Sequence, residues 1–452
     1  MNLYRMLSRR AENGSPIRVG LIGAGKFGTM FLAQARRTPG LHLMGIADLN
    51  PARAESAMAE TGWPAAQHGA DSFEDARLDG TTRITADPMD LIAADGLDVV
   101  IDATGHPAAG IAHARACVRH GRHLVMVNVE ADVLAGPLLA REFEKAGLVY
   151  TMAYGDQPAL IAELVDWARA SGFPVMAAGK GTKYLEHFHA STPDTVWEHY
   201  GITPQRAKAA GMNPKMFNSF LDGTKSGIEM AAVANATGLA VPPEGLAFPP
   251  CGVDDLPQVL RPAELGGRLH HAGQVEVVSS LERDGRPVGR DLRWGVYVVI
   301  EAETDYVARC FHDYGLQTDV SGNYTALYRP YHMIGLELGI SVANAALRGE
   351  STGVSSAFNG DVVAVAKRDL NPGEELDGEG GFCVWGRLMP AADSLEQAAL
   401  PIGLAQGMQL AAPVRKGEVV TQRHVSLDES DPTVRTRREM EKAFAATRTA
   451  AE

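Results

Sequence analysis

The feature that most narrows the fold is a glycine pattern near the start, Gly23-Ala-Gly25-Lys26-Phe27-Gly28. It lies between a β-branched run at 17–22 and a helical pattern that continues to about Arg37. Strand, glycine turn and helix in this order form the context that a dinucleotide phosphate loop needs. Gly23 permits the tight turn, Gly25 lets a pyrophosphate approach the backbone, and Gly28 lets the helix pack close to the strand. The helix N-terminus then offers amide donors and the positive end of its dipole. Asp48 ends the second β-branched run, twenty residues after Gly28. A carboxylate there accepts hydrogen bonds from an adenosine ribose and favours NAD. Arg53 follows five residues later. It is either a solvent-exposed arginine in a first helical turn or a cation that admits the 2′-phosphate of NADP.

The first third alternates short β-branched runs, at 17–22, 41–47, 97–101 and 123–127, with helical patterns. This predicts parallel βαβ units and a doubly wound sheet. The stretch 64–84 is less regular and reads as an insertion. Two more loops follow later strands, Asp102-Ala-Thr104-Gly105-His106-Pro107 and Asn128-Val-Glu130. Ligands bind at the carboxyl ends of strands in open α/β sheets. Thr104, Gly105, Asn128 and Glu130 therefore join Gly23, Gly25, Lys26, Phe27, Gly28, Asp48 and Arg53 as candidate cofactor contacts. His106, just before a helix-start proline, reads as a cap or loop residue.

From about residue 156 the pattern changes. A helix over 159–170 leads to a strand over 174–178, then to a long polar, glycine-rich stretch, 179–224. A helix over 227–236, strands over 274–280 and 294–301, and an amphipathic helix over 332–347 complete a middle region of α+β type. The apolar face of that last helix suits an internal core or a dimer contact. The C-terminal runs GDVVAVAKRDLNPGEELDGEGG and LPIGLAQGMQLAAPVRKGEVVTQRHVSL are short strands broken by Pro-Gly and Lys-Gly turns, a compact β module. The charged tail from Asp428, with RTRREMEK, reads as a terminal helix with a solvated face. The expected domains are 1–155, 156–350 and 351–452.

Lys plus Arg number 42 and Asp plus Glu 55 in 452 residues, a net charge of −13. Binding a polyanion needs a concentrated basic face, so nucleic acid is excluded as a partner of the whole chain. A pocket for a single phosphate is not. Cys117, Cys251, Cys310 and Cys383 are too few and too scattered for a disulfide framework or a zinc cluster, which fits a reducing compartment. No apolar run approaches the ~20 residues that cross a bilayer. The first twenty residues hold four arginines and no apolar core, so they do not read as a secretory signal. A cytoplasmic protein without a membrane partner is expected.

The middle region carries a polar cluster: Lys180 and Lys183, then Asn213, Lys215, Asn218, Ser219, Asp222, Thr224, Lys225, Ser226 and Glu229. Lysine, asparagine, serine and threonine grouped this way suit an anionic head group, phosphate above all. Asp222 and Glu229 suit proton transfer or a divalent cation with oxygen ligands, such as magnesium or manganese. Arg329, within Asn323-Tyr324…Tyr328-Arg329-Pro-Tyr331-His332, is either a second anion clamp or half of an ion pair.

The glycine motif with Asp48, the DATGHP loop and the VNVEADV stretch look like the N-terminal domain of homoserine-dehydrogenase-like oxidoreductases. The C-terminal runs look like a SAF domain, a β-clip. Together, across nearly the entire chain, they resemble the 1-deoxy-D-xylulose 5-phosphate reductoisomerase-like proteins. The resemblance implies an α/β architecture: a Rossmann domain, an α+β catalytic and dimerisation domain, and a small SAF domain. It further implies a homodimer, NADPH as cofactor with NAD as the alternative, and inhibition by fosmidomycin. A small phosphorylated ketose would be rearranged and the resulting aldehyde reduced by hydride, giving 2-C-methyl-D-erythritol 4-phosphate for isoprenoid precursors. On this resemblance Lys215, Asn218, Ser219 and Arg329, with Lys225, hold the phosphate. Lys180 or Lys183 polarises the carbonyl, and Asp222 and Glu229 are base or metal ligands. Homoserine dehydrogenases carry an Asn-Lys pair where this chain has Asn128-Val-Glu130. The alternatives are a homoserine or polyol-phosphate dehydrogenase and a cofactor-binding sensor without turnover.

Overall fold

A computed structural model describes residues 2–449 and divides the chain into two units. The first comprises Met1–Leu160 and His332–Ser356, the second Ile161–Tyr331 and Ala357–Glu452.

The first unit is built on six parallel strands. These are β1 (Ile17–Ile22), β2 (Leu41–Ala47), β3 (Arg83–Thr85), β4 (Val99–Asp102), β5 (His123–Met126) and β6 (Tyr150–Met152), in the order β3-β2-β1-β4-β5-β6. The order reverses beside β1, which pairs with β2 on one side and β4 on the other. That is the doubly wound arrangement, with its ligand crevice at the carboxyl ends of β1 and β4. The strands read as continuous apolar runs because helices cover both faces. Val19, Leu21, Ile46, Val99, Ile101 and Val125 are all buried, packed with Phe31 and Leu32 of the helix Lys26–Ala35.

Two expectations change here. The stretch 64–84 is no mere insertion, because it ends in β3, which pairs with β2 through Ile46 and Ile84. Before β3 lies the helix Phe73–Asp79, whose N-cap Ser72 accepts from the Asp75 amide at 3.0 Å. The helix expected over 332–347 begins at Gly339, runs to Arg348 and does not close the middle region. Leu338, Val342 and Ala343 are fully buried in the core of the first sheet. Its apolar face was legible, but the partner it covers was not.

The second unit carries a mixed sheet of β7 (Val175–Thr182), β8 (Gln274–Ser279), β9 (Val296–Glu301) and β10 (Tyr324–Arg329), ordered β10-β9-β7-β8. Only the β7–β8 pair is parallel. The polar, glycine-rich stretch from 179 onward is therefore strand as far as Thr182. The helix Thr224–Thr237 contacts β7 and β8 on one side and the hairpin β11 (Gly360–Ala366) and β12 (Val384–Pro390) on the other. Buried from Ser226 to Asn235 without a break, it is a core helix, with Ser226, Glu229 and Asn235 as its buried polar residues. Around the hairpin the C-terminal module is tied by isolated bridges such as Val363↔Pro401 and Val365↔Val419. Its tail forms the helix Pro432–Thr449. The charge run there is not simply a solvated face: Arg437 is buried, pairs with Asp361 and Glu441, and lies over the Phe358 ring at 4.8 Å. Among the described residues no helix is long and apolar enough to cross a membrane, and all four cysteines are free thiols.

Candidate functional site

The first unit presents a glycine loop between β1 and the helix Lys26–Ala35, and its three glycines differ in what surrounds them. Gly23 has φ +95°, and a Cβ there would stand 2.8 Å from the Ala103 carbonyl oxygen. At Gly28 a Cβ would stand 2.2 Å from the Gly23 oxygen, so only glycine lets the helix start so close to the turn. At Gly25 a Cβ would meet no protein atom within 4 Å. Sterics within the protein therefore leave Gly25 free to vary. The space above it is what a pyrophosphate would fill. Gly25 is also the N-cap of Lys26–Ala35 and has no side-chain cap. The amides of that first turn remain available to an anion. Lys26 is exposed, while Phe27 packs against the core of the unit.

Asp48 directly follows β2 with its side chain buried. Its Oδ2 accepts from the Ala24 amide at 2.8 Å and its Oδ1 from the Asn50 amide at 2.8 Å. Arg53 grips both oxygens, with Nη2 at 2.7 and 2.9 Å and Nε at 3.1 Å. Burial alone would raise the Asp48 pKa, but the Arg53 guanidinium and the two amides outweigh it and hold the carboxyl below its usual range. The Arg53 side chain is itself 56% exposed. Arg53 is thus a solvent-facing arginine in a first helical turn that pairs with the Asp48 carboxylate.

Beside this loop, Asp102 at the end of β4 organises the next one. Its Oδ2 meets His113 Nδ1 at 2.6 Å, and its Oδ1 accepts from the Thr104 hydroxyl at 2.7 Å. Asn128 caps the helix Val129–Lys145 by accepting from the Ala131 amide at 3.1 Å, and it donates to Thr104 Oγ1 at 3.2 Å and His106 O at 2.9 Å. Thr104 and Asn128 are thereby fixed relative to Gly105, which is exposed with φ +66°. Glu130 is half-buried in the first turn of the Asn128-capped helix. His106 is the cap expected, accepting from the Ala109 amide at 3.4 Å.

In the second unit most of the polar cluster turns inward. Lys180, on β7, pairs with Glu229 of the helix Thr224–Thr237, both side chains under a tenth exposed. Asp222 pairs with Lys367 at 2.7 Å, equally buried. Burial pushes the Asp222 carboxyl up, against the pull of the ammonium. Asn218 and Ser219 cannot meet a phosphate as they stand. Asn218 is fully buried, donating to Ser191 O at 3.1 Å and Gly380 O at 3.0 Å and accepting from the Ser191 hydroxyl at 2.7 Å. Ser219 bonds Met216 O at 2.9 Å. Lys215 reaches the Asp377 carbonyl and Gln406 Oε1 of the C-terminal module. Lys183 donates to His199 O, and burial with the nearby Arg293 lowers its pKa. Lys225 is half-buried, and so is Arg329, which lies over the Tyr331 ring at 5.6 Å.

The cluster thus separates into an interior network that joins the helices Pro214–Leu221 and Thr224–Thr237 to the C-terminal module, and one buried ammonium–carboxylate pair on the central strand. A divalent cation does not fit either carboxylate, because a lysine ammonium already sits against each. Among the described residues no group of three His, Cys, Asp or Glu is placed to hold a metal ion. The sequence reading missed Lys367 and Ser191, which complete the network. Lys367 is a lone lysine at the end of an apolar strand, VVAVAK, and nothing local marks it.

Three consecutive stretches match family models. Residues 17–127 match the oxidoreductase family with NAD-binding Rossmann fold, 155–338 the catalytic domain of Oxidoreductase DRL, and 361–426 the SAF domain. No curated protein sequence matches the chain. Among solved structures, biliverdin reductase from Synechocystis sp. PCC 6803, in complex with biliverdin and NADP+, is 17% identical over 38% of this chain and 48% of its own, TM-score 0.27. Myo-inositol dehydrogenase from Lactobacillus casei, in complex with NAD(H) and myo-inositol, is 14% identical over 40% and 52%, TM-score 0.30. An NAD binding oxidoreductase from Klebsiella pneumoniae is 16% identical over 72% and 68%, TM-score 0.32. The chain spans about half the length of the first two. The protein is an oxidoreductase that joins an NAD-binding Rossmann domain to a DRL-type catalytic domain and a C-terminal SAF domain.

Proposed function

We propose that the protein reduces a carbonyl of a small phosphorylated substrate with NADPH, NADH being the weaker donor. The observation that carries the nucleotide half is the loop itself: Gly23 and Gly28 are fixed by backbone contacts, while Gly25 faces open space. Arg53 supports NADPH, since a guanidinium half in solvent at the Asp48 carboxylate can turn its outer edge to a 2′-phosphate. When bound, the nicotinamide supplies the hydride. Lys180 is the proposed carbonyl polariser, its ammonium paired with Glu229 and placed to hand a proton to the developing alkoxide. Lys183, with its lowered pKa, is the alternative donor.

Within that class we place the reductoisomerase reading first: conversion of 1-deoxy-D-xylulose 5-phosphate to 2-C-methyl-D-erythritol 4-phosphate by a cytoplasmic homodimer. It rests on the resemblance of the chain as a whole. The test is loss of NADPH absorbance with that ketose phosphate, with and without fosmidomycin, and in the Lys180→Ala variant. Turnover that fosmidomycin and Lys180→Ala both abolish supports the reading. Turnover only with homoserine or a polyol phosphate, read as NADP+ reduction, moves the substrate. NADPH binding without hydride transfer to or from any of these compounds makes the protein a sensor.

A further inference from the structure

The second unit carries a cavity of about 670 Å³, open to solvent on one side, that the redox reading does not use. One wall is the short 3-10 segment Glu186–Ala190 with Arg283, and the other is the C-terminal module through Trp385, Arg387 and Lys416. Two lining groups are already satisfied. His189 has Nδ1 on Asp222 O at 2.7 Å, Nε2 at 3.0 Å from the Tyr184 hydroxyl, and its ring stacked on Trp385 at 3.8 Å. Lys367 donates to Ser191 O, Gly381 O and Asp222.

The remaining cations are not satisfied. Arg387 is half-buried on β12, and its guanidinium has no hydrogen bond or ion pair with any described residue. The Lys416 ammonium likewise has none. Arg283 spends one N–H on Ala247 O at 2.9 Å and lies over the Tyr184 ring at 5.5 Å. Against these three stands a single carboxylate, Glu186. In a chain of net charge −13, this cavity has a local excess of positive charge. A phosphomonoester carries about −1.5 to −2 at neutral pH, which matches that excess. An arginine fork suits its oxygens bidentately. The volume lies within the roughly 300–1,000 Å³ of small-ligand sites, room for one phosphate and a short carbon chain but not a polymer.

We infer that this cavity binds a small phosphomonoester, with Arg387 and Lys416 on the phosphate and the Trp385 indole against the carbon skeleton. The SAF module then supplies half of a ligand site. The inference concerns binding alone and stands apart from the proposed reduction.

The test is calorimetric titration of the full chain with glycerol 3-phosphate, and with glycerol as the uncharged comparison. Glycerol 3-phosphate is expected to bind at one site per chain, and glycerol not at all. Arg387→Gln should weaken binding about tenfold or more, and Lys416→Gln by a few-fold to tenfold. Lys208→Gln, an exposed lysine of the same unit, should leave it unchanged, as should Gly25→Val in the nucleotide loop. Melting curves show which variants are folded, and the exposed Lys416 keeps the test alive if Arg387→Gln does not fold. No binding by the native protein at millimolar ligand overturns the inference. So does full affinity in both cavity variants, an equal loss with Lys208→Gln, or a loss with Gly25→Val. Glycerol 3-phosphate binding in a protein that oxidises no NADPH would leave this site standing and remove the redox reading.

Discussion

Lys367 of the C-terminal module lies 2.7 Å from the Asp222 carboxylate, with side-chain exposures of 2% and 0%. A buried ion pair of this kind is costly to break from one side, because the surviving charge stays in the interior. Lys367→Met is expected to lower the unfolding free energy by about 3–5 kcal/mol, and Lys367→Met with Asp222→Leu to recover most of that. Denaturant unfolding of the three proteins checks this. A single-variant loss below about 1 kcal/mol would mean the pair behaves as a solvated one.

The glycine loop separates folding from ligand binding. Gly28→Ala drives a methyl into the Gly23 carbonyl and should cost roughly 1–3 kcal/mol of stability. Gly25→Val meets no protein atom from its Cβ, so stability should stay within about 0.5 kcal/mol. Nucleotide binding should nevertheless fall at least about tenfold. Thermal unfolding and NADPH fluorescence titration of both variants read the two effects separately.

On the proposed reading, Arg53 decides between the cofactors. Because its side chain is more than half exposed, Arg53→Ala should change stability by less than about 1 kcal/mol. NADPH affinity should drop roughly tenfold while NADH affinity holds or improves, since the freed Asp48 then serves only the ribose. Equal losses for both nucleotides would make Arg53 a structural partner of Asp48 alone.

Glu276 on β8 is buried and accepts from the Ala247, Phe248 and Val277 amides. Burial wins over those bonds and raises its pKa from 4.5 to about 7. The folded state therefore holds the proton more tightly than the unfolded one. This group's stabilising contribution is fully present below about pH 4.5 and is lost as pH rises through about 7. Glu276→Gln should flatten the fall in stability between those values. Urea unfolding at pH 5 and pH 8 tests the sign, and an unchanged slope would show the carboxyl ionises normally.

The Rossmann strands and the glycine loop were readable because each depends on local order: an apolar run, a turn residue and a helix start within thirty residues. Gly23, Gly28 and Asp48 have their roles fixed inside that window. The polar cluster was harder. Asn218 and Asp222 were read as ligand contacts, yet their partners are Gly380 and Lys367, about 150 residues downstream. A polar residue that completes a buried network and one that awaits a substrate have the same composition and spacing. Only the distant partner tells them apart. The helix Gly339–Arg348 shows the same gap, since periodicity marks an apolar face but not the sheet it will cover.

That helix has a consequence for how the molecule is made. Leu338, Val342 and Ala343 plug the core of a sheet whose strands all lie before residue 153. Burying Leu338 and Val342 is worth roughly 1.5–3 kcal/mol each. While the ribosome has delivered only the leading segment, the sheet emerges with part of its greasy surface uncovered. It must wait for nearly two hundred further residues before it can settle.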